Sequence, residues 1–141
     1  MSFKFVVWKE EYSVGHPELD RHHQTMLEII NTLYETATAG VSAEELSRAI
    51  REVQAYAEYH FKEEEASLQE VGYLRIENQK SAHRAFVSEF NDYRRSAFAE
   101  SSALSQDLLQ FLKEWWLNHI LKMDHDYAPL FIPTNRSSES S

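Results

Sequence analysis

The stretch His60-Phe61-Lys62-Glu63-Glu64-Glu65 decides how this chain is read. On a helix, His60 and Glu64 project from one side, a turn apart. The same side carries Val53, Ala57, Phe61 and Leu68, so it faces a core. An imidazole and a carboxylate on a core-facing stripe are costly to bury unless something satisfies them. One such histidine alone would read as a core residue bonded to a neighbour. Here three other helical patterns each carry a histidine on their apolar side, which turns attention to a shared site.

Working outward, the pattern containing this stretch starts at Ser42-Ala43-Glu44-Glu45, which fits a capping box. It ends before Gly72, a residue suited to the position just past a helix. Before it, the stripe Leu19, His23, Met26, Leu27, Ile30, Leu33, Tyr34, Ala37 alternates in threes and fours. Pro17 suits the first position of that helix and Gly40 its end. After it come Ile76, Gln79, His83, Phe86, Val87 and Phe90, then Leu104, Leu108, Phe111, Leu112, Trp115, Trp116, His119, Ile120 and Met123. Pro129 and Pro133 forbid continuation. The expected fold is all-α, an up-down-up-down four-helix bundle with an extended N-terminal arm. Residues 1–134 form one domain, with the arm over 1–17 and helices over about 18–38, 42–71, 75–98 and 103–124. The polar tail 135–141 reads as disordered.

With 141 residues, the chain can bury a substantial core. A net charge of −9 argues against nucleic acid and anionic membrane surfaces as partners. The absence of cysteine excludes disulfides, thiolate zinc sites and iron–sulfur clusters. Any metal must be held by histidine and carboxylate. No apolar run approaches the ~20 residues needed to cross a bilayer, and the short run Phe3 to Trp8 is no signal-peptide core. The cytoplasm is the expected location and a monomer the expected state.

Short connections make neighbouring helices antiparallel, so distance from a shared turn gives the level along the bundle axis. With turns near residues 40, 73 and 101, His23 and His60 lie 17 and 20 residues from the first, Glu64 and His83 lie 9 and 10 from the second, and His83 and His119 lie 18 each from the third. At about 1.5 Å per residue these agree within a turn. All four helices therefore deliver polar groups to one layer. His23, His60, His83 and His119 offer imidazoles, and Glu64 and Asp124 offer carboxylates able to bridge two cations. That mixture suits a dinuclear site and favours iron. His119 and Asp124 are five apart, off-face for a straight helix, so the helix must loosen there.

These segments resemble the hemerythrin family, in particular its single-domain bacterial members. The resemblance is carried by Trp8, Val14-Gly15, Leu19-Asp20-Arg21-His22-His23, His60-Phe61-Lys62-Glu63-Glu64, Gly72-Tyr73, His83-Arg84-Ala85-Phe86, and Trp115 through His119-Ile120 to Asp124 and Tyr127. It spans roughly residues 8 to 131, and HFxxEE with HIxxxD at this separation is a specific combination. It implies a non-haem, oxo- or hydroxo-bridged pair of iron ions that binds O2 reversibly, for storage, delivery (oxygen transport) or sensing. Peroxide and azide-like anions are related ligands. His23 and His60 would hold the iron that takes O2, His83 and His119 the other, with Glu64 and Asp124 bridging. Phe61, Trp115, Trp116 and Ile120 would line the oxygen pocket and keep it dry.

Two positions depart from the family pattern. Gln79 stands where the family has a further ligand histidine, and reads equally as a weak seventh ligand or as a core amide bonded to a neighbour. An open position there would favour a peroxidase- or oxidase-like enzyme over an oxygen-binding protein; a metal-binding bundle without a redox role is the third reading. Trp116 stands where leucine is common in a WLxxHI pattern, and would narrow the pocket. His22, His16 and His125 could each replace the missing imidazole, but His22 reads as a rim residue, His125 as exposed and His16 as a cap. Glu63 and Glu65 read as a solvated acidic face, and Asp20 as a helix-start carboxylate.

Overall fold

The computed structural model describes residues 4–39, 42–99 and 103–131. Four helices form an antiparallel bundle: α1 Pro17–Thr38, α2 Ala43–Glu70, α3 Ile76–Ala99 and α4 Ala103–Asn118. No strand occurs among the described residues. Gly40, the turn near residue 101, Pro133 and the tail 135–141, each given a role above, lie outside them.

The helix ends follow local chemistry. His16 caps α1: its Nδ1 accepts the Leu19 N–H at 3.1 Å, and Pro17 occupies the first turn. Ser42 caps α2 by accepting the Glu45 N–H at 3.1 Å, while its hydroxyl lies 3.4 Å from the Glu45 carboxylate. The C-terminus of α2 is a Schellman motif. Tyr73 N–H bonds Leu68 O at 3.0 Å and Gly72 N–H bonds Gln69 O at 3.1 Å, with Gly72 at φ +69°. A Cβ at Gly72 would meet nothing within 4 Å, so the backbone angle, not space, selects glycine.

The arm is fastened to α1. Asn31 accepts the Val6 N–H at 2.9 Å and donates to Val6 O at 2.8 Å, and Phe5 stacks on Tyr34. Asp20 acts on the same junction rather than on the histidine layer: it accepts the Ser13 hydroxyl at 2.5 Å and the Val14 N–H at 2.8 Å.

Beyond Asn118 the last helix changes type. His119–Asp124 is a π-helix, followed by a short α-turn, His125–Tyr127, and a 3₁₀ turn, Ala128–Leu130. Five residues of α-helix overshoot a full turn by about 140°, which would aim His119 and Asp124 in different directions. Bonding from i to i+5 brings them onto one side.

The apolar core is divided. A large cluster includes Met26, Ile30, Val53, Phe61, Phe86, Phe90, Leu112, Trp116 and Ile120. A small one, Val14, Leu19, Leu68, Tyr127 and Ala128, closes the other end of the bundle. Along the chain the buried polar residues fall where the two clusters meet: His22 and His23 between Leu19 and Met26, Glu64 between Phe61 and Leu68, and Asp124 between Ile120 and Tyr127, with His60 and His119 each just before the last large-cluster residue of its helix.

Candidate metal centre

Between the clusters lie His22, His23, His60, Glu64, Gln79, His83, His119 and Asp124, none more than 5% exposed. Two groups of donor atoms converge: His23, His60 and Glu64, and Glu64, His83 and His119. Glu64 belongs to both. Its Oε1 is 2.9 Å from His83 Nε2, and its Oε2 is 3.7 Å from His60 Nε2 and 3.9 Å from His23 Nε2. Asp124 also reaches both sides, with Oδ2 3.3 Å from His23 Nε2 and Oδ1 3.2 Å from His119 Nε2. His23 Nε2 and His60 Nε2 are 3.2 Å apart.

These separations suit metal coordination. Two donors bound to one cation by bonds near 2.1 Å lie roughly 3.0 to 3.4 Å apart in octahedral or tetrahedral geometry. Glu64 Oε1, His83 Nε2 and Asp124 Oδ2 are buried yet have no aligned hydrogen-bond partner, although a nitrogen or oxygen stands close to each. Atoms that crowd together without pointing at one another are what co-ligands of a cation look like. Left alone, such groups would each carry a desolvation penalty.

The surrounding residues fix this arrangement. Tyr127 donates its hydroxyl to Glu64 Oε2 at 2.5 Å. His83 Nδ1 lies 2.8 Å from Glu65 Oε2, the carboxylate contact that orients a ligating imidazole through its far nitrogen. Glu65 is therefore not part of a solvated face as expected. It leans toward α3, and only the register of His83 could have revealed that. Glu63 is exposed. His22 is also corrected: it is 3% exposed, not on the rim, and its Nδ1 stands 3.0 Å from His60 Nδ1. His125 is partly buried rather than exposed, with Nε2 shielded and unpartnered. Neither donor group includes His16, His22 or His125.

Gln79 is fully buried within the layer. Its amide nitrogen donates to Asp124 Oδ1 at 3.0 Å, and its Oε1 is 3.0 Å from His119 Nε2. Of the residues named for the oxygen pocket, Phe61 lies flat on His83, with ring centroids 3.9 Å apart, and Trp115 lies flat on His119 at 4.4 Å. Trp116 stands beside His60, at 5.7 Å, and is stacked on Phe61, whose ring centroid is 6.0 Å from that of His60. Ile120 is fully buried.

Electrostatics bind the layer together. Burial alone would raise the Asp124 pKa, but the charges of His119 and His23 outweigh it and hold the carboxyl well below its ordinary value. Burial would lower His119, and Asp124 reverses that, leaving it raised. His60 is lowered well below its ordinary value by burial and by His23, and His22 is lowered by burial against the pull of Glu18. The metal-free protein should therefore have a stability maximum. As pH falls below about 6.5, the unfolded value for histidine, unfolding takes up protons that His60 and His22 refuse when folded, and stability drops. As pH rises through the raised His119 value, the charge attraction to Asp124 is lost and stability drops again. Urea titrations of chelator-treated protein across pH 5 to 9 would show this; a flat profile would contradict it. Metal should extend the acid limb, because ligation competes with protonation.

A four-helix bundle with a buried histidine–carboxylate cation site across all four helices is the class these features define. The family model described as the hemerythrin HHE cation binding domain matches residues 14–131. The chain belongs to the hemerythrin family, non-haem di-iron proteins that bind oxygen. It is similar to the bacteriohemerythrin of Clostridium acetobutylicum, 30% identical over 125 residues, covering 86% of this chain and 97% of that protein. The bacteriohemerythrin of Methylococcus capsulatus is 31% identical over 110 residues, covering 78% and 83%. The crystal structure of wild-type hemerythrin superposes with a TM-score of 0.81 at 28% identity, covering 92% of this chain and 99% of that one. No helix of the described residues is long and apolar enough to cross a membrane.

Proposed function

We propose that the layer holds two iron ions and captures O2 for storage, delivery or sensing. His23 and His60 would hold one iron, His83 and His119 the other, and Glu64 and Asp124 would bridge them. The observation that carries this is the double membership of Glu64 in two donor triads. Bound there, an iron pair would supply the electrons needed to take up O2. The protein does the rest. Two carboxylates offset cationic charge in a dry site, the Tyr127 hydroxyl fixes the plane of Glu64, Glu65 holds the His83 ring, and the Phe61, Trp115 and Trp116 rings exclude water. The reading extends to a monomer working in the cytoplasm.

The test is the optical spectrum of reduced, iron-loaded protein exposed to air, with metal counted per chain. A charge-transfer band that comes and goes with O2, at two irons per chain, supports the proposal. Irreversible conversion to a ferric form with turnover of added peroxide would replace it with a di-iron redox enzyme. Fewer than two metals and no band would leave a simple metal-binding bundle.

Gln79 favours giving the enzymatic reading a place. If this position departs from a ligand histidine, the amide between His119 and Asp124 is a weaker donor than an imidazole and leaves that half of the centre more open to water and peroxide. Gln79→His should then slow autoxidation of the reduced site several-fold, followed as loss of the oxygen-dependent band. An unchanged rate would show that the amide is not what limits the site.

A further inference from the structure

His22 belongs to neither donor group. Its ring is buried on α1 beside Tyr56 and Tyr59, with centroids 6.1 and 5.2 Å away. Nδ1 stands 3.0 Å from Nδ1 of His60, while Nε2, buried and without an aligned hydrogen bond, stands 3.4 Å from Oε2 of Glu18, a half-exposed carboxylate that also meets Arg21. We propose that Glu18 and His22 form a positioning relay that fixes the tautomer and ring plane of His60 from outside the centre.

The protons can be placed one after another. His60 turns Nε2 toward His23 and Glu64. This step rests on the reading of His60 as a ligand: a ligating Nε2 carries no proton, so a neutral ring keeps its proton on Nδ1. Two ring nitrogens 3.0 Å apart share a single proton, so His60 donates and His22 Nδ1 accepts. The only proton left to neutral His22 is then on Nε2, facing Glu18. Each tautomer forces the next, and the chain of polarity runs one way, from the centre to the surface. A ligating histidine ordinarily meets a carboxylate, carbonyl or water with its far nitrogen. An imidazole interposed here lets a surface carboxylate orient His60 without a second negative charge in contact with it.

The experiment uses ¹⁵N-histidine NMR on the full chain, metal-free and loaded with diamagnetic zinc, together with zinc affinity. The wild type should show His22 unprotonated at Nδ1 and protonated at Nε2, with a slowly exchanging His60 Nδ1–H. His22→Leu should lose that slow exchange and bind zinc about 10- to 100-fold more weakly. His22→Gln, whose amide oxygen can accept the same proton, should recover most of both. Glu18→Gln, a surface change that spares the core, should speed exchange at His22 Nε2–H. A His22 proton on Nδ1, or wild-type affinity with retained slow exchange in His22→Leu, overturns the relay. Wild-type protein that takes up fewer than two zinc ions sinks the dinuclear reading separately, and the His22 tautomer in the metal-free protein still decides the relay.

Discussion

Glu64→Ala should reduce iron loading from two ions per chain to one or none. Glu64 is the residue common to both donor triads, and its two oxygens face different halves, Oε1 toward His83 and Oε2 toward His60 and His23. Asp124 alone would then have to join two cations, each reduced to two imidazoles, with at most a Gln79 oxygen in addition on the His119 side. Two positive ions a few ångströms apart in a low-dielectric core repel strongly, and halving the bridging negative charge removes most of what offsets them. The effect on the metal-free fold is mixed. Tyr127 loses the acceptor of its buried hydroxyl, which costs about 1–3 kcal/mol, while the desolvation of a buried carboxylate is relieved. Loading should therefore fall far more than the metal-free unfolding midpoint. Retention of two irons by folded Glu64→Ala protein would refute the bridging assignment.

Trp116→Ala should destabilise the protein by roughly 3–5 kcal/mol, the range for removing a large buried aromatic side chain. Trp116 is fully buried, stacks on Phe61 at 5.4 Å, and meets Phe86 at 5.5 Å and Trp115 at 5.1 Å. Against a typical total of 5–15 kcal/mol that is a large share. One feature offsets part of it: the indole nitrogen is buried with no partner, so truncation also removes an unsatisfied donor. Trp116→Leu should cost less and leave a smaller void beside His60. In both variants small anions such as azide should reach the iron-loaded centre faster than in the wild type, by stopped-flow absorbance. A loss under about 1 kcal/mol in the alanine variant would contradict the packing described.

The bundle was legible because its signals are local and redundant. Leu19 to Ala37 holds one helical period throughout, His16 and Ser42 can each cap a following N–H, and Gly72 supplies the left-handed residue a Schellman motif needs. The polar layer was legible because antiparallel hairpins turn counting from a turn into height. What escaped lies at the flanks. His22 was set aside as the residue beside His23, yet it stands three after Leu19 and four before Met26, both buried, so the period itself contained it. The buried arc of α1 is wider than a one-residue stripe because α2 and α4 both pack on it. Glu65 gave no such sign: one position past Glu64, it is partnered only because His83 arrives from another helix at that height. The five-residue spacing of His119 and Asp124 announced a departure from α-helix, while the form it took, a π segment, depends on contacts across the layer.

The division of the core bears on how the molecule holds together as a cooperative unit. The two apolar clusters are separated by a tier whose members attract one another through charge and hydrogen bonds, contacts that depend on protonation and on cations in a way that buried hydrocarbon does not. The small cluster carries both the end of the arm and Tyr127, so it is the cap of the bundle. Filling the tier should join cap to bundle, and emptying or acidifying it should make the same tier a seam along which the cap opens ahead of the rest, seen as faster amide exchange at Leu19, Leu68 and Tyr127 than at Ile30 and Phe90.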